Sequence, residues 1–281
     1  MQIKFLKNKV IRLPVLLYNN TWSNGIETSE SAYYDKLSSQ FYHLEKSGFT
    51  SISVQQLINF IESGIQLPSK PVLIIFHNTY KSIATHLYPL LQKSRTKAVA
   101  FILPSVIEKD NYPQNHYLSI PEIKSISGEY IEWGIQSCSH GNPRKLALIR
   151  LSQHIRLCVS WFRSADISFV PALALLHDSS RSYNFHNRNK YFLMLHLSGL
   201  KLSFCSGNKI STLYNKKTMV LQKTIITGKE TIEEFNDAVA KDKRLSIKTI
   251  LRHIKRIDLL FSFKKAADKA TLLQDLNRKL V

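Results

Sequence analysis

The sequence predicts an α/β protein built from βα units around a parallel sheet or barrel. Short runs rich in β-branched residues alternate with longer helical stretches. Two of those runs, Val72–Phe76 and Ala98–Leu103, are apolar without interruption, as strands covered on both faces must be. Glycines stand where the helices should stop. With 281 residues, 44% of them hydrophobic, the chain can bury one sizeable core.

Taken in order, Val10–Leu17 predicts a buried strand. The stretch 32–47 then brings Tyr34, Leu37, Phe41 and Leu44 to one helical face closed by Gly48. A short strand is expected at Thr50–Ser53, and a helix at Val54–Ser63 with Leu57, Ile58 and Ile61 inward and Gly64 as its stop. Pro68 and Pro71 bracket the turn into Val72–Phe76, and a helix separates that strand from Ala98–Leu103. Weaker strands are expected at Ile131–Ile135, Ser168–Val170 and Leu202–Phe204, with a helix over Lys145–Phe162.

The tail 241–281 carries 12 Lys or Arg against 4 Asp. It places Ile247, Ile250, Leu251, Ile254 and Ile257 at helical spacing, opposite Lys248, Arg252, Lys255 and Arg256. It reads as a basic helical extension packed on a domain of residues 1–240. An amphipathic helix of this type can also lie on an anionic membrane surface.

The formal charge of +19 favours acidic partners, such as an anionic glycan, phospholipid or nucleic acid. No nucleic-acid reader motif accompanies it, so specific nucleic-acid recognition is not expected. Cys138, Cys158 and Cys205 are odd in number and lack CxxC spacing, which argues against a disulfide framework and for a reducing, cytoplasmic setting. The lysine-interrupted N-terminus lacks a signal-peptide core, and no apolar run reaches membrane-spanning length. A serine or cysteine hydrolase finds no support, because Ser137, Cys138, Ser139 and His140 are neighbours whose side chains alternate in direction and there is no Gly-x-Ser-x-Gly elbow.

Several ordered segments resemble polysaccharide deacetylases, the NodB-homology family. The stretch from Gly48 to Phe101, GFTSISVQQLINFIESGIQLPSKPVLIIFHNTYKSIATHLYPLLQKSRTKAVAF, is similar to that family in order and spacing. LPVLLYNNT at Leu13–Thr21 looks like its first strand, IEWGIQSCSHGN at Ile131–Asn142 like its second metal-binding motif, and LQKTIITGKETIEEF at Leu221–Phe235 like its closing strand and last helix. The resemblance spans roughly residues 10–236 and implies a distorted (β/α) barrel with its site at the C-terminal ends of the strands.

In such enzymes one aspartate and two histidines hold a divalent metal, and a second carboxylate takes a proton from the activated water. Here the family's two consecutive aspartates fall on His77, at the base position, and Asn78, at a ligand position, while the following glycine falls on Thr79. Its two histidines fall on Gln136 and His140, so the resemblance leaves His140 as the one retained ligand. A single imidazole with two amides lacks an anionic ligand, and amide oxygens bind transition metals weakly. The expectation is therefore a catalytically impaired homologue without a bound cofactor, kept to bind an N-acetylated glycan or a partner enzyme.

The alternative is an active, divergent de-N-acetylase with one divalent metal such as zinc, held by His77 and His140 with His196 or Asp178. Phe169, Val170, Pro171, Ala172 and Leu173 resemble the family's acetyl-pocket turn, with its proline retained. His177, His186 and His196 are available for its late general acid, with nothing in the sequence to select among them. Tyr18, Trp22, Tyr80 and Trp133, with Asn19 and Asn20 beside the first of them, are candidates for stacking on sugar rings at the barrel mouth.

Overall fold

A computed structural model of the chain describes residues 11–19, 30–107, 117–136, 148–175, 188–207, 210–213, 220–227 and 230–240. The expected basic extension 241–281 lies outside them.

Strand β1 (Ile11–Leu13) is followed by β2 (Val15–Asn19), helix α1 (Glu30–Lys46), the short β3 (Thr50–Ser51), α2 (Val54–Ser63) and β4 (Pro71–His77). A π-helical turn, Ile83–Leu87, runs into α3 (Tyr88–Lys93). Next come β5 (Ala98–Ile102), α4 (Pro104–Ile107), α5 (Ile120–Ile126), β6 (Ile131–Gln136) and α6 (Leu148–Ser164). The chain continues through β7 (Ala172–Ala174), α7 (Arg188–Leu197), β8 (Leu202–Ser206), β9 (Ser211–Leu213), β10 (Val220–Ile226) and α8 (Ile232–Ala240).

Seven of these strands close into a parallel barrel in the order β2, β4, β5, β6, β7, β8, β10, with β10 returning to β2. Strand β3 pairs with the start of β4, and β1 pairs antiparallel with β9 outside the ring. The single strand expected over Val10–Leu17 is thus two. Pro14 separates them because it has no N–H to contribute to a continuing ladder.

Strand alternation divides the core into two layers. Outward residues such as Leu16, Tyr18, Ile74, Phe76, Ala100, Trp133 and Leu173 pack against α1, α5, α6 and α7. Inward residues such as Leu17, Ile75, Val99, Phe101, Ala172, Leu202, Phe204 and Leu221 fill the barrel. Val54, Leu57, Ile58 and Phe60 of α2 join the inner set, so this helix plugs the N-terminal end of the barrel.

Helix α2 is well specified locally. Ser53 and Gln56 form a reciprocal capping box, and Gly64 ends the helix at φ 71°, a conformation that costs a glycine little. Glu132, inward on β6, adds a tertiary cap: its carboxylate accepts the N–H of Val54 at 2.6 Å and of Gln55 at 3.2 Å. Burial raises the Glu132 carboxyl above its usual range, and the N–H bonds from Val54 and Gln55, the Ser53 hydroxyl and the charge of Lys97 offset part of that.

A ring layer lies above this plug. Phe101 meets Phe204 edge to face at 5.7 Å, and Gly134 makes room for it: a Cβ at residue 134 would sit 2.4 Å from the Phe101 ring.

The strand expected at Ser168–Val170 forms four residues later, at Ala172–Ala174. The β-branched and aromatic run signals a strand more strongly than Ala-Leu-Ala does, but tertiary pairing decides the matter. Leu173 aligns with Ile135, and Ala174 with both Gln136 and Phe204.

Candidate functional site

The strand register carries four inward or terminal groups to one end of the barrel. His77 closes β4, level with Asn19 of β2 and Phe101 of β5. Gln136 closes β6, Leu175 follows β7, and Lys223 is the inward residue two beyond Leu221 on β10. This is the C-terminal end, where barrel proteins carry their chemistry.

His77 and Lys223 meet there, both buried. The Lys223 Nζ lies 3.2 Å from His77 Nε2 and donates to the Leu175 carbonyl at 2.7 Å. An ammonium has only donors, so His77 Nε2 accepts and the ring proton sits on Nδ1. Burial first, and the neighbouring Lys223 charge second, hold the His77 imidazole well below its ordinary value and keep it neutral. Phe101 places its ring edge-on to the imidazole at 6.1 Å, so His77 rests on the ring layer below.

Beside this pair, Asn78 and Gln136 bond to each other. The backbone N–H of Asn78 donates to Gln136 Oε1 at 3.2 Å, and Gln136 Nε2 donates to Asn78 Oδ1 at 3.1 Å. Asn78 adopts φ 63°, the left-handed region that asparagine enters more readily than most residues. Gln136 is buried, whereas Asn78 is half-buried. The Nδ2 amide of Asn78 has no partner among the described residues, which leaves a neutral donor at the barrel mouth.

Tyr80 follows two residues later. It is half-buried and stacks on Tyr117 with ring centroids 4.9 Å apart, and the same two residues bridge their backbones. Thr79 accepts the Leu118 N–H at 2.8 Å, which fixes this corner.

Of the residues singled out in the sequence, His77, Asn78, Gln136 and Tyr80 lie at this end. Tyr18 and Trp133 face away from it into the outer layer, and Pro171 lies at the opposite end. Tyr18 has no exposed surface; its ring stacks on Phe76 at 5.3 Å and meets Phe41 edge-on, on the helix-facing side of β2. Trp133 faces the same outer layer from β6 and donates its Nε1–H to Ser127 Oγ at 2.6 Å. For both, the strand parity that turns His77 and Gln136 inward turns these rings outward.

Pro171 precedes β7, at the end of the barrel away from the mouth, and its carbonyl accepts the N–H of Lys201 and Leu202. The proline-based alignment of that motif therefore runs ahead of the strand. His196 is an exposed residue in the last turn of α7. His140, Trp22, Asn20, Asp178, His177 and His186 lie outside the described residues.

The sequence reading missed Lys223 and Tyr117. Lys223 could have been found from VLQKTII, where a lysine shares the inward parity of Leu221 in a strand-like run. Tyr117 reaches Tyr80 through tertiary pairing that has no local signal.

The described donor set does not fit a divalent cation. Both side-chain oxygens of Asn78 and Gln136 already accept hydrogen bonds, His77 Nε2 faces an ammonium, and among the described residues no carboxylate is bonded to them. Among the described residues no group of three His, Cys, Asp or Glu is placed to hold a metal.

Compared by sequence, the chain matches no protein-family model and no curated protein. Compared by fold, it overlays on the Streptococcus pyogenes deacetylase PplD, solved in complex with acetate, with a TM-score of 0.66 at 14% identity over 82% of this chain and 99% of that one. A de-N-acetylase from Aggregatibacter actinomycetemcomitans gives 0.65 at 17% identity, covering 81% and 100% of the two chains. IcaB from Ammonifex degensii gives 0.59 at 13%, covering 82% and 96%. The chain therefore has the distorted (β/α)-barrel fold of the polysaccharide deacetylases.

Proposed function

We propose that this protein is a deacetylase-like glycan-binding barrel that has given up metal-dependent hydrolysis. The observation that carries this reading is the mouth itself: an amide pair, Asn78 with Gln136, and a neutral imidazole paired with an ammonium, His77 with Lys223.

The chemistry follows from those pairs. A general base needs a free lone pair and a value near the working pH. His77 spends its Nε2 lone pair on Lys223, and burial disfavours its protonation further. The amide pair supplies hydrogen bonds without charge, and the free Asn78 Nδ2 donor suits a sugar hydroxyl or an acetamide carbonyl. The stacked rings of Tyr80 and Tyr117 beside it offer an apolar face for a pyranose. A partner enzyme of glycan metabolism, with the barrel as its glycan-presenting subunit, is compatible with the same surface.

Cys158 and Cys205 are both buried. Among the described residues no helix is long and apolar enough to cross a membrane.

Two measurements on the purified protein test the reading: acetate release from N-acetylated oligosaccharides with added zinc or cobalt, and binding of the same oligosaccharides by calorimetry. The expected result is no acetate release, with binding that Asn78→Ala and Tyr80→Ala each weaken about tenfold or more, the loss of one good polar or stacking contact. Acetate release that a chelator abolishes and metal restores would replace this reading with an active, divergent de-N-acetylase.

A further inference from the structure

We infer that the Lys223 ammonium is the resident cation of the barrel mouth, occupying the electrostatic place of a divalent metal and barring one from entering. This rests on the proposal that the mouth works without metal, and adds the residue responsible.

The placement comes first. Lys223 projects from the closing strand β10 into the barrel, is 1% exposed, and sets its Nζ against His77 Nε2 and the Leu175 carbonyl. An ammonium is costly to bury unless acceptors replace its water, and here an imidazole nitrogen and a backbone oxygen do so. Inside a barrel, with Phe101 and Phe204 beneath, its charge is screened far less than at the surface.

The charge balance comes second. A divalent ion needs anionic or free neutral donors around it. The two consecutive positions at the end of β4 are an imidazole and an amide, both neutral, and the imidazole already accepts from the ammonium. Carboxylates left at these positions without a metal would be buried anions. A metal entering beside Lys223 would be a second cation in a poorly screened space. His77, Asn78 and Lys223 thus form one consistent electrostatic set, in which the side chain of Lys223 supplies the cation among the described residues.

The arrangement predicts that restoring metal donors is insufficient while Lys223 remains. Zinc binding is measured by calorimetry on the full-length protein, on Asn78→Asp with Gln136→His, and on the same pair with Lys223→Met. The triple variant is expected to bind zinc at least 100-fold more tightly than the double. Equal affinity of the folded double and triple variants, or no binding by either, would overturn the role given to Lys223.

Zinc bound tightly by the unaltered protein would instead overturn the metal-free reading beneath it, so the two failures are distinguishable. Should the triple variant not fold, Lys223→Gln replaces Lys223→Met within it, and zinc affinity is compared with that of the double variant in the same way. An affinity no tighter than that of the double variant would overturn the inference.

Discussion

The two ends of the barrel bury ionisable groups in opposite ways. At the plugged end, Glu132 is an anion held by backbone N–H groups from the first turn of α2, a fixed arrangement in which the carboxylate caps a helix. At the C-terminal end, Lys223 is a buried cation that meets an imidazole and a loop carbonyl, beside amides that bond each other. The first arrangement fixes the start of a helix, whereas the second ties the ends of β4, β6, β7 and β10 to one another through side chains. In barrel proteins the first of these ends is the one that carries stability and the second the one that carries chemistry.

The ring layer of Phe101 and Phe204 keeps those ends apart, so its removal should have the largest effect. Phe101→Ala is expected to cost about 3–5 kcal/mol in urea unfolding, the usual range for emptying a buried aromatic site. A smaller loss would mean that the barrel collapses around the gap. Glu132→Ala should cost about 1–3 kcal/mol, because it strands the two N–H groups of α2. Amide exchange should speed up first in α2, and uniform exchange across the barrel would contradict a local cap.

The two ends also predict opposite pH dependences. His77 is depressed below its ordinary 6.5, so the stability it contributes is full above that value and falls as pH drops from about 6.5 toward its folded value. The slope is up to about 1.4 kcal/mol per pH unit, and His77→Gln removes it. Glu132 is raised above its ordinary 4.5, so its contribution is greatest below that value and is lost as pH rises through the folded value, a loss that Glu132→Gln removes. Thermal melts across pH 4–8 read both. If each end is independent, the two substitutions add within about 0.5 kcal/mol in stability.

The smallest effect is expected at Asn78. Its φ of 63° is one that glycine adopts freely, so Asn78→Gly should change stability by less than about 1 kcal/mol. It should nevertheless weaken glycan binding about tenfold or more, as Asn78→Ala does. Intact binding would mean that the Nδ2 donor is not used.

The plugged end was the more legible in sequence. Helix α2 was readable because its apolar spacing and stop glycine are local, and β4 because it is apolar throughout. The mouth was readable only by position, from the ordered match of the segments ending in His77 and Gln136. The direction of each aromatic was not, since it depends on the register of β2 and β6 with their neighbours, which turned Tyr18 and Trp133 outward. Nor was the pairing of His77 with Lys223, two residues more than half the chain apart that meet only because the barrel closes.

That closure has a kinetic side. Strand β10 finds β2 across about 200 residues of intervening chain, and pairings of such long range form slowly because the loop must be closed before the contact rewards it. Lys223 rides on the closing strand, so its ammonium leaves water only in that step. The rate at which the ring shuts should therefore carry the desolvation of one charge, and a neutral residue at 223 should fold faster than the lysine it replaces.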